Sequence, residues 1–110
     1  MAADRGDLLR ITVDGTDESQ PVVRLRGEVD MGNGASLEAA LAQVLADSSG
    51  DVVVDLSELR FMDSTGLRVI LAAWKEAEKL GRAMVLRSPR PSVATLLSVS
   101  GVDQILTVEP

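Results

Sequence analysis

FMDSTGLRV, residues 61–69, joins two apolar segments of different period. Upstream of it, DVVVDL (51–56) is a continuous apolar run of strand length, the pattern of a central strand covered on both faces. Downstream, Leu67, Ile70, Leu71, Trp74, Ala77 and Leu80 recur at helical spacing, and Gly81 is placed to end the helix. A buried strand running into an amphipathic helix is half of a parallel β-α-β unit. The junction itself is polar: Asp63, Ser64, Thr65 and Gly66. Either Asp63 or Ser64 suits the N-cap, offering an oxygen to the free N–H groups of the first turn. One cap suffices, yet three polar residues stand in a row. Gly66 occupies a place where another residue would favour the helix by about 1 kcal/mol, which suggests close approach of a backbone or a phosphate. A phosphoryl group on Ser64 would be favoured by the helix dipole and unpaired N–H groups, and opposed by Asp63.

Working outward, LLRITVD (8–14) and PVVRLRGEV (21–29) alternate apolar and polar residues, as half-buried strands do. The polar DGTDESQP between them reads as the turn of an antiparallel hairpin. SLEAALAQVLADSSG (36–50) switches to helical period through Leu37, Ala40, Leu41, Val44 and Leu45, with Asn33 suited to its N-cap and Gly50 to its stop. After Gly81, RAMVLRS (82–88) reads as a short strand, Val93, Leu96 and Leu97 as a third helix closing near Gly101, and QILTV (104–108) as a terminal strand. The order β-β-α-β-α-β-α-β predicts an α/β fold. It is a single small domain over residues 1–110, a mixed sheet with an N-terminal hairpin and a parallel centre, and about three helices.

Composition narrows the function. The chain has 110 residues, with 45% hydrophobic and 25% charged, as in ordinary globular domains. Phe61 and Trp74 are its only aromatics, so the core is expected to be aliphatic. With no Cys and no His there is no thiol nucleophile, no Ser-His-Asp triad and no thiolate or imidazole metal ligand. No residue in the D-S-T-G motif activates Ser64 as a nucleophile, so the chain is not expected to be an enzyme. A net charge of −6 and scattered basic residues disfavour nucleic acid. The N-terminus, MAADRGDLLR, lacks an apolar signal core, and no apolar run approaches the ~20 residues of a membrane span, so a cytoplasmic location is expected.

RGEVDMGNG (26–34) brings three glycines and two carboxylates to the entry of the first helix. It matches neither a dinucleotide fingerprint nor a P-loop. In a parallel sheet this loop and the Asp63 loop leave their strands at the same edge. Glu28, Asp30 and Asp63 are therefore expected to form an acidic rim there.

FMDSTGL closely resembles the phosphorylation motif of bacterial anti-sigma-factor antagonists of the STAS family. RLRGEVDMGNG is similar to that family's glycine-glutamate-apolar-aspartate turn, and LLSVSGVDQIL to its C-terminal segment. The resemblance implies that Ser64 is the phosphoacceptor, with Glu28 and Asp30 in the partner-facing turn and Asn33 in the place of the helix-capping hydroxyl. Asp63, Thr65 and Gly66 complete the implied partner-binding set. It further implies an anti-sigma factor with serine-kinase activity as partner, supplying its own ATP and Mg²⁺, so that this chain needs no cofactor. The unphosphorylated protein would capture that kinase and free a sigma factor. Phosphorylation would release it, and a phosphatase would reset it. A STAS module also serves as a structural or sensory subunit of a transporter or lipid-export complex, and this is the alternative. The chain departs from the family pattern at Arg68, where glycine is common, at Gly34, where alanine is commoner, and in a longer SPRPSV loop.

Overall fold

The computed structural model describes residues 8–15 and 20–110. The elements are β1 (Leu9–Asp14), β2 (Val22–Val29), α1 (Gly34–Asp47), β3 (Val52–Met62), α2 (Ser64–Lys79), β4 (Met84–Arg87), α3 (Pro91–Val99), a 3-10 turn (Val102–Gln104) and β5 (Thr107–Glu109). They build one five-stranded sheet in the order β1-β2-β3-β4-β5. β1 and β2 are antiparallel, and the remaining pairs are parallel. The mixed sheet expected from the sequence is therefore present, with β3 at its centre. Residues 16–19 of the DGTDESQP turn and residues 1–7 of the N-terminus lie outside the described residues.

Each parallel connection moves one strand further in the same direction. Right-handed crossovers then lay α1 and α2 over one face of the sheet, where the two helices pack together. That face carries Leu9, Val23, Leu25, Val29, Val54, Leu56, Leu59 and Met62, all buried. The alternate residues Arg10, Thr12, Arg24 and Arg26 are exposed on the other face. The core is aliphatic as expected: Leu37, Leu41, Ile70, Leu86 and Leu97 are enclosed, while Trp74 is only partly buried and Phe61 is 48% exposed.

β3 is longer than the apolar run that announces it, spanning 11 residues to Met62. Its pairing with β2 shifts register twice, between Arg24 and Arg26 and between Gly27 and Glu28. Each bulge adds one residue to β3, so the inward positions fall at Leu56, Leu59 and Met62 instead of every second residue. β4 covers β3 only from Val52 to Asp55. Beyond it, Arg90 Nε donates to the Ser57 carbonyl (3.0 Å) and Ser92 Oγ to the Arg60 carbonyl (3.1 Å). Side chains thus satisfy an edge that would otherwise be open to another strand.

Three further boundaries differ from the sequence expectation. α1 ends at Asp47 rather than Gly50, because its last carbonyls are satisfied from a distance. Arg82 donates to the Leu45 carbonyl (2.8 Å), to Ser48 Oγ (2.7 Å) and to the Gly50 carbonyl. Leu80, expected on the core stripe of α2, is the C-cap and 59% exposed. Gly81 (φ 71°) closes that helix, with Gly81 N–H bound to the Glu78 carbonyl (3.0 Å) and Arg82 N–H to the Ala77 carbonyl (2.9 Å). Such a closure needs a left-handed residue, which glycine supplies without strain. Gln104 and Ile105 fall in and after the 3-10 turn instead of the last strand, which begins at Thr107.

On the open side of the sheet, Arg24, Asp55, Arg87 and Glu109 are register partners on successive strands. Arg24 Nε lies 3.6 Å from Asp55 Oδ2, and Arg87 Nε 3.3 Å from Glu109 Oε1. Partial burial of Asp55 tends to raise its pKa. Hydrogen bonds from the Ser57 N–H and hydroxyl, with the Arg24 and Arg87 charges, outweigh this and hold the carboxyl below its ordinary value.

Candidate functional site

The two loops singled out in the sequence leave β2 and β3 at the same edge and are joined there. Asp63 N–H donates to the Val29 carbonyl at 3.2 Å. Parallel neighbours must place their C-terminal ends together, which is why residues more than 30 positions apart meet.

Asp63, rather than Ser64, is the N-cap of α2: its Oδ1 accepts the Thr65 N–H at 2.8 Å. Ser64 is thereby released from structural duty. It is exposed in the first turn, and its hydroxyl makes no hydrogen bond to a described residue. Thr65, one residue on, is half-buried and turned towards α1. A Cβ on Gly34 would lie 2.4 Å from Thr65 Cγ2, so the first turns of α1 and α2 touch through this pair.

Gly66 has a structural explanation that corrects the sequence reading. It is buried, and a Cβ there would lie 2.3 Å from Met62 Cγ and 3.2 Å from Val29 Cγ1. The glycine lets α2 begin directly on the ends of β2 and β3. The place of its missing side chain faces the core.

Asn33 also differs from expectation. It precedes α1 as an N-cap should, but its side chain makes no capping bond and is 2% exposed. Its Oδ1 accepts the Asp30 N–H (3.0 Å) and its Nδ2 donates to the Glu28 carbonyl (3.0 Å). Asn33 therefore braces the β2–α1 loop from within. The amide carries both a donor and an acceptor, which a hydroxyl at this place would have to share through one oxygen.

The acidic rim is only partly assembled. Asp30 and Asp63 both follow strand ends at the joined edge, and Asp30 Oδ1 accepts the Gly32 N–H at 2.8 Å. Glu28 stands within β2, with its carboxylate 3.8 Å from Arg60, so its charge is partly offset.

Two apolar residues near these loops are exposed, which the sequence did not single out. Met31, in the β2–α1 loop, is 82% exposed, and Phe61, near the end of β3, is 48% exposed. A methionine between two acidic and glycine-rich stretches is the signal for the first. Phe61 carries none, because the bulges that turn it outward are invisible in the sequence. Among the described residues no group of three or more acidic side chains is arranged to hold a metal. No helix among them is long and apolar enough to cross a membrane.

Comparison with known proteins identifies the family. The family described as Mlab, STAS domain, matches residues 11–108. The anti-sigma F factor antagonist of Paenibacillus polymyxa is 32% identical over 88 residues, 79% of this chain and 75% of the relative. The crystal structure of an anti-sigma factor antagonist from Mycobacterium paratuberculosis superposes with a TM-score of 0.81 at 29% identity, over 98% of this chain and 91% of that one. The fold is also that of the anti-sigma factor antagonist SpoIIAA in its unphosphorylated form (TM-score 0.78, 22% identity, 90% and 87% of the two chains). SpoIIAA from Bacillus in the phosphorylated form follows (TM-score 0.67, 21% identity, 91% and 89%). With nearly its whole length matched, this chain belongs to the STAS-domain family.

Proposed function

We propose that this protein is an anti-sigma-factor antagonist switched by phosphorylation of Ser64. In the unphosphorylated state it binds an anti-sigma factor that is also a serine kinase, and so frees a sigma factor in the cytoplasm. The partner holds ATP and Mg²⁺. Ser64 Oγ attacks the γ-phosphorus, the bond to the β–γ bridging oxygen breaks, ADP leaves and the serine proton passes to a base on the partner. A phosphatase restores the hydroxyl by transferring the phosphoryl group to water. The chain itself is substrate and ligand in this cycle, not catalyst.

One observation carries the reading. Asp63 does the capping, which leaves an exposed serine hydroxyl uncommitted at a helix N-terminus. A hydroxyl needed only for structure would be the capping group itself. The relatives named as anti-sigma factor antagonists support the same conclusion over the alternative of a transporter or lipid-export subunit. Asp30 and Asp63 follow the two strand ends that are joined at the acceptor's edge, and Met31 in the same β2–α1 loop is exposed, the mixture of charge and apolar area that interfaces use.

The test is phosphate transfer from the kinase that binds this protein. Wild type and Thr65→Ala should each gain one phosphate, and Ser64→Ala none. Strong labelling of Ser64→Ala would overturn the assignment.

A further inference from the structure

We infer that Arg68 is an internal receptor for the phosphate on Ser64, an ion pair that forms only in the modified protein. This deepens the reading of Ser64 as the acceptor and rests on it.

Ser64, Leu67, Arg68, Leu71 and Lys75 line one surface depression of about 450 Å³ along α2. Arg68 is four residues after Ser64, one turn further along the same helix face, with Cβ atoms about 6 Å apart at such spacing. Side chains in a helix lean towards its N-terminus, so an arginine at 68 can reach back over the turn that holds Ser64, and the two line the same depression. It has no competing partner: Arg68 is exposed and its guanidinium makes no ion pair or hydrogen bond with a described residue. The residues three and four positions away, Thr65, Leu71 and Ala72, are uncharged like Ser64 itself. Lys75 is 11 residues from Ser64, about 16 Å along the axis, beyond direct reach of the phosphate. The assignment therefore falls on Arg68.

An idle guanidinium in a chain of net charge −6 is of no evident use to the unmodified protein. Phosphorylation places about −1.5 to −2 charge and three acceptor oxygens within its span, and a guanidinium meets phosphate through two parallel N–H donors. Asp63 repels the new charge from the cap position, so without Arg68 the modified serine would have the helix N–H groups alone to offset that carboxylate. The pair would hold the phosphate against α2 rather than free in solvent.

The experiment introduces phosphoserine at position 64 during translation, so that no kinase is required, and follows its ³¹P resonance with pH. An arginine that pairs with the dianion lowers the phosphate's second pKa. The titration midpoint of wild type should lie about half a unit below that of Arg68→Gln, a threefold difference in proton affinity. Arg68→Lys should fall between them, since a point charge lacks the bidentate fit. Coincident midpoints for wild type and Arg68→Gln would overturn the inference. Failure of the kinase to label Ser64 would instead overturn the proposed function, whatever the titration shows.

Discussion

Replacing Gly34 with alanine tests whether the contact between the two loops is as tight as the geometry says. The added Cβ would lie 2.4 Å from Thr65 Cγ2, where carbon pairs normally stand at about 3.5–4.0 Å. More than an ångström must be recovered. Thr65 is poorly able to yield, because a β-branched side chain is stiff at χ1 and its N–H is held by Asp63 at 2.8 Å. Overpacking of this kind costs about 1–3 kcal/mol. Alanine's better helix propensity returns up to about 1 kcal/mol, and less in a first turn. The net loss should be about 1–2 kcal/mol, or roughly 4–8 °C in Tm. Thr65→Ser removes the offending methyl and by itself should cost under about 0.8 kcal/mol. In the double variant the overlap is gone, so Gly34→Ala should cost little or nothing there. Urea unfolding of the four proteins, followed by circular dichroism, measures the coupling, expected at about 1–2 kcal/mol. Sites that act independently add within about 0.5 kcal/mol. A neutral or stabilising Gly34→Ala, additive with Thr65→Ser, would refute the reasoning.

Asp63→Ala should lose the α2 cap and about 1 kcal/mol of stability, whereas Asp63→Asn keeps an acceptor oxygen and should melt close to wild type while associating with the kinase more slowly and with weaker salt dependence. Phosphorylated protein, or Ser64→Asp, should melt within a few degrees of wild type, since the core contacts of Leu67 and Ile70 are untouched and the helix terminus favours the charge by roughly 0.3–1 kcal/mol. Its kinase affinity should fall at least tenfold, about 1.4 kcal/mol, and a collapsed melting temperature would show that the switch is local unfolding. Asp55 has a lowered folded pKa, so its contribution to stability is present above the ordinary value of 3.8 and is lost as pH falls through the depressed one. The urea midpoint should therefore fall less between neutral and strongly acidic pH in Asp55→Asn than in wild type. Arg82→Ala should cost about 1–3 kcal/mol, because the Leu45 and Gly50 carbonyls and Ser48 Oγ lose their shared donor. Its unfolding midpoint checks this.

What the sequence by itself determined is the succession of elements and the chemistry of the junction. Periods of two and 3.6 residues report which faces meet water, and that depends on neighbours along the chain. The hairpin, the parallel centre and α2 beginning at Asp63–Ser64 follow from it, as does an aliphatic core in a chain with two aromatics. A resemblance carried by D-S-T-G-L pointed to Ser64 for the same reason: its motif is contiguous. The tertiary structure decided whatever depends on residues far apart. Two bulges carry β3 on to Met62 and turn Phe61 outward, because register is a property of the β2–β3 pair and not of either strand. Arg82 ends α1 from 37 positions away, overriding Gly50 as the local stop. Gly66 reads in one dimension as a place for a backbone or a phosphate to come close, but in three it is where the side chains at the ends of β2 and β3 meet α2. Asn33 has the residue type of a cap, yet the loop's own backbone claims both ends of its amide before the helix can use it.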